Sequence, residues 1–251
     1  MEQTEILVKS TLDGTMQPSL LFRAADERRP VLVGLHTWSY DRFNQIKNMP
    51  SYAEENGFHL LLPEFRGANL ESNPNRTQAC GSMYAKQDII DAIDHLVNIG
   101  LADRDNIFLL GASGGGHMAL MMAGYKPEYF KAIGAFVPIT DLQKWAEENP
   151  RYRPHVLACC SDDEEQMRLR SPMTYADTIV KANLKIFHGK YDPVVPVSHS
   201  LHLYQKLMQI APEAKVYLDI FDGGHELNMQ QAMYWLLSQY RKKEDKVQVT
   251  G

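Results

Sequence analysis

The chain reads as an α/β protein built on a mostly parallel sheet with helices on both faces. Short apolar runs alternate with longer amphipathic ones along most of its length. The short runs are apolar at nearly every position, as strands are when both sheet faces are covered. Strand and helix then follow one another in the order that gives parallel pairing through crossover helices.

The first 30 residues hold two shorter segments, "EILVKS" and "PSLLFRA", which suit antiparallel edge strands. The parallel strands are expected at "VLVGLH" (31–36), "FHLLLP" (58–63), "NIFLLGA" (106–112), "AIGAFV" (132–137), "LKIFHG" (184–189) and "VYLDIF" (216–221). Helices are expected at 85–100, where Ile89, Ile93, Leu96 and Val97 share one face, and at 198–210 and 226–240. The interval 141–180 breaks the rhythm. It is rich in Pro and charge, and it reads as an insertion over one end of the sheet, a small lid, within one domain spanning 1–251.

Composition excludes some classes. With 26 Lys and Arg against 31 Asp and Glu the net charge is −5, and there is no basic run, so nucleic acid and anionic membrane surfaces are not expected partners. No apolar stretch has the roughly 20 residues of a membrane-spanning helix. The first residues lack the basic and apolar regions of a signal peptide, and the odd, low cysteine count (Cys80, Cys159, Cys160) fits a reducing compartment, so a cytoplasmic location is expected. A bridge from Cys80 to Cys159 or Cys160 is the alternative. The Tyr- and Met-rich stripe near the C-terminus (Met229, Met233, Tyr234, Trp235) suits packing on the sheet better than a homodimer contact. The tail "RKKEDKVQVTG" reads as a solvated end.

The chemistry is concentrated at "GASGGG". Gly111-Ala112-Ser113-Gly114-Gly115 is G-x-S-x-G between a strand and a helical run, a turn that lifts a serine hydroxyl above the sheet. Residues two before and two after the serine crowd one another, which glycine relieves. A tight turn with a merely small serine is the plain alternative. A serine needs a base, and the base needs an orienting acid. Asp192 in "HGKYDPVVP" and His225 in "DGGHE" each follow a strand, at the sheet end where parallel folds place their sites. Asp192 could instead cap the next helix, and His225 could be an ordinary loop residue. Asp141 is a rival acid that reads better as a helix cap. His188 suits bracing the acid loop, and His117 points back into structure. The N–H of Gly114 offers one oxyanion donor. The loop His36-Thr37-Trp38-Ser39-Tyr40 offers the second, from Trp38 or alternatively Thr37. Tyr40, Trp145, Tyr152 and Met83 could wall a substrate cleft, or simply form the core under the insertion.

With "VLVGLHTWS", "LLLPEFRGAN", "DRDNIFLLGASGGGHMAL", "HGKYDPVVPVSHS" and "DGGHE" on the page, the chain resembles an α/β-hydrolase, and within that fold the catalytic domain of the prolyl-oligopeptidase-like hydrolases and related compact esterases. The resemblance runs from about residue 30 to 240. It implies Ser113 as nucleophile, His225 as base, Asp192 as acid, Gly114 and Trp38 as oxyanion donors, and no cofactor. Many relatives have Gly where this chain has Thr37. The family's peptidases carry an N-terminal β-propeller for which this chain has no room, which favours a small-molecule ester, such as an acetyl or feruloyl ester of a sugar, over a peptide. A small peptidase or amidase is the alternative. A ligand-binding protein without catalysis is the reading from another class, set apart by whether Ser113 takes a fluorophosphonate.

Overall fold

The computed structural model describes residues 1–240; the tail 241–251 lies outside them. Eight strands form one sheet in the order β1-β2-β4-β3-β5-β6-β7-β8. β1 (Glu2–Lys9) and β2 (Met16–Arg23) are the expected antiparallel edge, and β2 pairs antiparallel with β4 (His59–Pro63). β3 (Arg29–Leu35), β4, β5 (Ala102–Ala112), β6 (Ala132–Phe136), β7 (Leu184–Gly189) and β8 (Val216–Phe221) pair in parallel.

Alternate residues of the central strands feed two cores. On one face Val33, Ile107, Leu109 and Ile186 pack beneath α2 (Met83–Asn98), α3 (Gly114–Ala123) and α8 (Ser198–Ile210). On the other, Leu32, Phe108, Leu110 and Phe187 meet α1 (Pro50–Glu55) and α9 (Met229–Gln239). The period-2 geometry of a strand makes both faces apolar, so these runs carry no alternation. In α9 Met229, Met233 and Trp235 are buried in the second core while Tyr234 is 81 % exposed, so the stripe packs on the sheet.

Between β6 and β7 lie α4 (Leu142–Glu148), α5 (Arg153–Cys160), α6 (Glu164–Leu169) and α7 (Ala176–Ile179). Asp141 caps α4 by accepting the Lys144 N–H at 3.0 Å, the role expected of it. This segment has a core of its own, in which Trp145, Val156, Cys159 and Cys160 pack against Trp38, Cys80 and Val195. All three cysteines are free and buried, so the alternative of a disulfide is not realised. Among the described residues no helix is long and apolar enough to cross a membrane.

His117, four residues after Ser113 on α3, is fully buried and its Nε2 hydrogen-bonds the Arg170 carbonyl at 2.7 Å. Burial lowers its pKa from 6.5 to about 4. The unfolded chain therefore takes up this proton first as pH falls. The contribution is complete above about pH 6.5 and is lost as pH falls towards 4, at a cost of about 3 kcal/mol. Melting temperature should fall across that window in the native protein, and His117→Gln should flatten the profile there. Equal slopes would show that His117 is not the group responsible.

Candidate active site

The turn after β5 takes the shape the glycines permit. Ser113 has φ 56° and ψ −119°, a conformation unfavourable for a side-chain-bearing residue. Its N–H is held by the Phe136 carbonyl at 2.9 Å. A Cβ on Gly111 would run into the carbonyl of Gly115, so the chain can double back only without one.

The other two groups come from the loops after β7 and β8. His225 Nδ1 lies 2.7 Å from Asp192 Oδ2, and Nε2 lies 2.8 Å from Ser113 Oγ. An ionised carboxylate only accepts, so Nδ1 carries the proton and Nε2 is free to accept from the serine hydroxyl. The loops approach closely at Gly189, where a Cβ would sit 2.7 Å from the Gly223 carbonyl. Asp192 Oδ1 accepts the N–H groups of Val194 and Val195 at 2.8 and 2.9 Å. Burial pushes this carboxyl up, but hydrogen bonds from His188, His225 and the Val195 N–H outweigh it and hold it well below the usual carboxylate range. His188 braces the loop as expected: its Nε2 donates to the Val195 carbonyl at 2.9 Å, and its Nδ1 accepts from Ser200 Oγ at 2.7 Å.

On the oxyanion side, the Gly114 N–H donates to Thr37 Oγ1 at 3.0 Å. The Thr37 N–H is taken by Asn44 Oδ1 at 3.1 Å, whereas the Trp38 N–H has no protein acceptor among the described residues. Trp38 N also stands close to Gly114, 2.6 Å from where a Cβ would be. Of the two alternatives for the second donor, the hydrogen bonding leaves Trp38 available and Thr37 occupied.

Ser113 and His225 open into a cleft of about 270 Å³, walled by Trp38, Tyr40, Ile139, Trp145, Tyr152 and Val194, with Thr37 also on its surface. Trp145 is nearly buried. Its ring meets Trp38 edge-on at 5.0 Å, and its Nε1 donates to the Val194 carbonyl at 2.9 Å. It is therefore both cleft wall and core of the segment between β6 and β7. Met83 is a correction: it begins α2 and lines a different cavity, because the loop after Cys80 carries it away from the serine. His155 and Glu226, which no motif marks, also line the cleft; His155 lies on the short helix α5, whose pattern is too brief to show periodicity. Among the described residues no cluster of His, Cys, Asp and Glu is arranged to hold a metal ion.

The model of the prolyl oligopeptidase family matches residues 44–242. The chain belongs to that family. Curated relatives include the acylamino-acid-releasing enzyme of Arabidopsis thaliana, 26 % identical over 198 residues, covering 73 % of this chain and 26 % of the relative. Feruloyl esterase B of Thermothelomyces thermophilus is 29 % identical over 112 residues, covering 43 % of this chain and 38 % of the esterase. The chain thus spans about a quarter of the length of the acylamino-acid-releasing relative. Among solved structures, Pyrococcus horikoshii acylaminoacyl peptidase superposes with a TM-score of 0.72 at 22 % identity, covering 95 % of this chain and 40 % of the peptidase. Porphyromonas gingivalis dipeptidyl peptidase 4 gives 0.77 at 18 %, covering 94 % and 35 %. These superpositions establish the α/β-hydrolase fold, in keeping with membership of the prolyl oligopeptidase family.

Asp192→Asn would leave His225 Nδ1 facing an amide and disturb its tautomer. Turnover of p-nitrophenyl acetate should fall on the order of 10⁴-fold. A loss below about tenfold would remove Asp192 from the role of orienting acid.

Proposed function

We propose that this serine hydrolase cleaves the peptide or amide bond of small substrates whose amino group is already acylated. Ser113 is the nucleophile, His225 the general base and then the general acid, and Asp192 the group that holds the imidazole. The observation that carries the reading is the unbroken line from Ser113 Oγ through His225 to the buried Asp192 carboxylate, opening onto an apolar cleft. Among the described residues no Lys or Arg lines that cleft, which suits a neutral acyl part with an apolar or aromatic side chain.

Ser113 Oγ attacks the carbonyl carbon while His225 Nε2 takes its proton. The N–H groups of Gly114 and Trp38 receive the developing oxyanion, and the substrate oxygen displaces the Thr37 hydroxyl from Gly114. Each such donor stabilises the transition state by about 2.7–4 kcal/mol. The imidazolium, stabilised by Asp192, then protonates the leaving nitrogen. Water, deprotonated by His225, releases the acid from Ser113.

The acylamino-acid-releasing and dipeptidyl peptidase relatives favour this alternative over the ester reading drawn from the sequence. The aromatic wall and the partial likeness to a feruloyl esterase support a second reading, an ester of an aromatic acid.

The test is a panel of N-acetylphenylalanyl p-nitroanilide, Gly-Pro p-nitroanilide, p-nitrophenyl acetate, methyl ferulate and acetylated xylooligosaccharides. The acetylated anilide should be turned over, with Ser113→Ala reducing kcat on the order of 10⁶-fold. Turnover of the esters alone would replace the amide reading with the ester one. No turnover and no fluorophosphonate labelling would leave a binding protein.

A further inference from the structure

A second cavity, of about 340 Å³, lies at the N-terminal end of α2, against α6 and the start of α7. Two buried cations face it: Lys86 is 4 % exposed and Arg170 is 8 % exposed. Among the described residues neither has a carboxylate within ion-pair distance, and Lys86 Nζ has no hydrogen-bond acceptor. The acids nearest in sequence are engaged elsewhere: Asp88 with Arg66, Asp91 with Thr11 and Gln87, Glu165 with Arg168. The Lys86 ammonium instead lies over two aromatic faces, 5.1 Å from the Tyr125 ring centre and 5.3 Å from that of Tyr175. Arg170 is fixed by donating to the carbonyls of Ala79 and Thr77, both at 2.9 Å, and to Gln166 Oε1 at 3.2 Å.

Holding two like charges on one cavity wall with little water and no counter-ion is unfavourable unless something neutralises them. Their environment shows the strain: burial and the neighbouring Arg170 charge lower the Lys86 pKa to about 8. The backbone adds a third electropositive element. Ser82 caps α2 by taking the Ala85 N–H at 3.1 Å, and its carbonyl takes that of Lys86, so the N–H groups of Met83 and Tyr84 have no acceptor within the helix. Residues 81–84 line the cavity, so the positive end of the 16-residue α2 faces it.

We infer that this cavity is a binding site for a small oxyanion, a carboxylate or phosphate group, held by Lys86, Arg170 and the first turn of α2. The site is separate from the serine cleft, with which it shares no lining residue. Tyr84, Met83 and Leu169 form a partly exposed apolar rim that suits an anion carried on a small organic body.

Calorimetric titration of the whole protein with inorganic phosphate and, separately, with succinate tests this, against sodium chloride at matched ionic strength. One saturable site per chain for at least one of the two anions is expected, and the preferred anion identifies the class. Lys86→Met should weaken that binding by about tenfold or more, as loss of a charged hydrogen bond implies, while Lys86→Arg should largely restore it. Lys86→Met should also melt no lower than the native protein without anion, because it removes a mostly buried charge that has no counter-ion. No saturable binding of either anion by the native protein would overturn the inference, and this holds even if Lys86→Met fails to fold. Undiminished binding by a folded Lys86→Met would overturn it equally.

Discussion

The backbone turn at Ser113 is the constraint on which the rest of the site depends. A residue with a side chain is held at φ 56°, a strain of about 1–3 kcal/mol that only firm surroundings maintain. Those surroundings are the two central strands and a helix with no exposed face: all ten residues of α3 are buried. The Phe136 carbonyl holds the Ser113 N–H, so β6 fixes the turn from one side, while β3 leads into the loop that supplies Thr37 and Trp38 on the other. Loosening this packing would move Ser113, the N–H groups of Gly114 and Trp38 and the N-terminus of α3 together.

Asp192 and His225 are positioned by a different device. Their loops carry no regular structure, and precision comes from buried polar groups satisfied in series. Ser200 orients His188, His188 ties down the Val195 carbonyl, and the Val194 and Val195 N–H groups fix Asp192, which orients His225. Such a chain rigidifies when every member has a partner, and each buried member left unpaired would cost more than its bond contributes.

The central parallel strands were legible in the sequence because complete burial writes itself as unbroken apolar runs: "FHLLLP" and "AIGAFV" contain β4 and β6, in which every residue is buried, while the edge strand β8 is apolar in sequence yet mostly half-buried or exposed. The site was legible because its chemistry needs particular residues at the ends of those strands. Three things were not. The short helices between β6 and β7 have four to eight residues, too few for a period of 3.6 to show. The hydrogen bonds of Thr37 depend on Asn44, seven residues on in a loop without periodicity. The convergence of Lys86 and Arg170 on one cavity spans 84 positions and two helices, and Lys86 sits in a helical pattern that places many lysines at the surface. Its burial follows from Tyr125 and Tyr175 closing over it, a tertiary fact.

Ester and amide substrates make the same first demand on this site and differ in the second. Both need Ser113 to attack and an oxyanion to be held. An alkoxide leaves readily, but an amine leaves only once its nitrogen is protonated, so the imidazolium must survive until that transfer. Here the Asp192 side chain is buried and its hydrogen bonds favour the charged form, which stabilises the imidazolium without competing for its proton. The triad geometry serves either leaving group, so the amide reading proposed above rests on the relatives and on the cleft. What separates substrates is the cleft, where a neutral wall of Trp38, Trp145 and Tyr152 gains most from an apolar group without a charge to desolvate. On the proposed reading an acylated amino group meets that condition; among the described residues that line the cleft, the carboxylate a free ammonium would meet is the exposed Glu226.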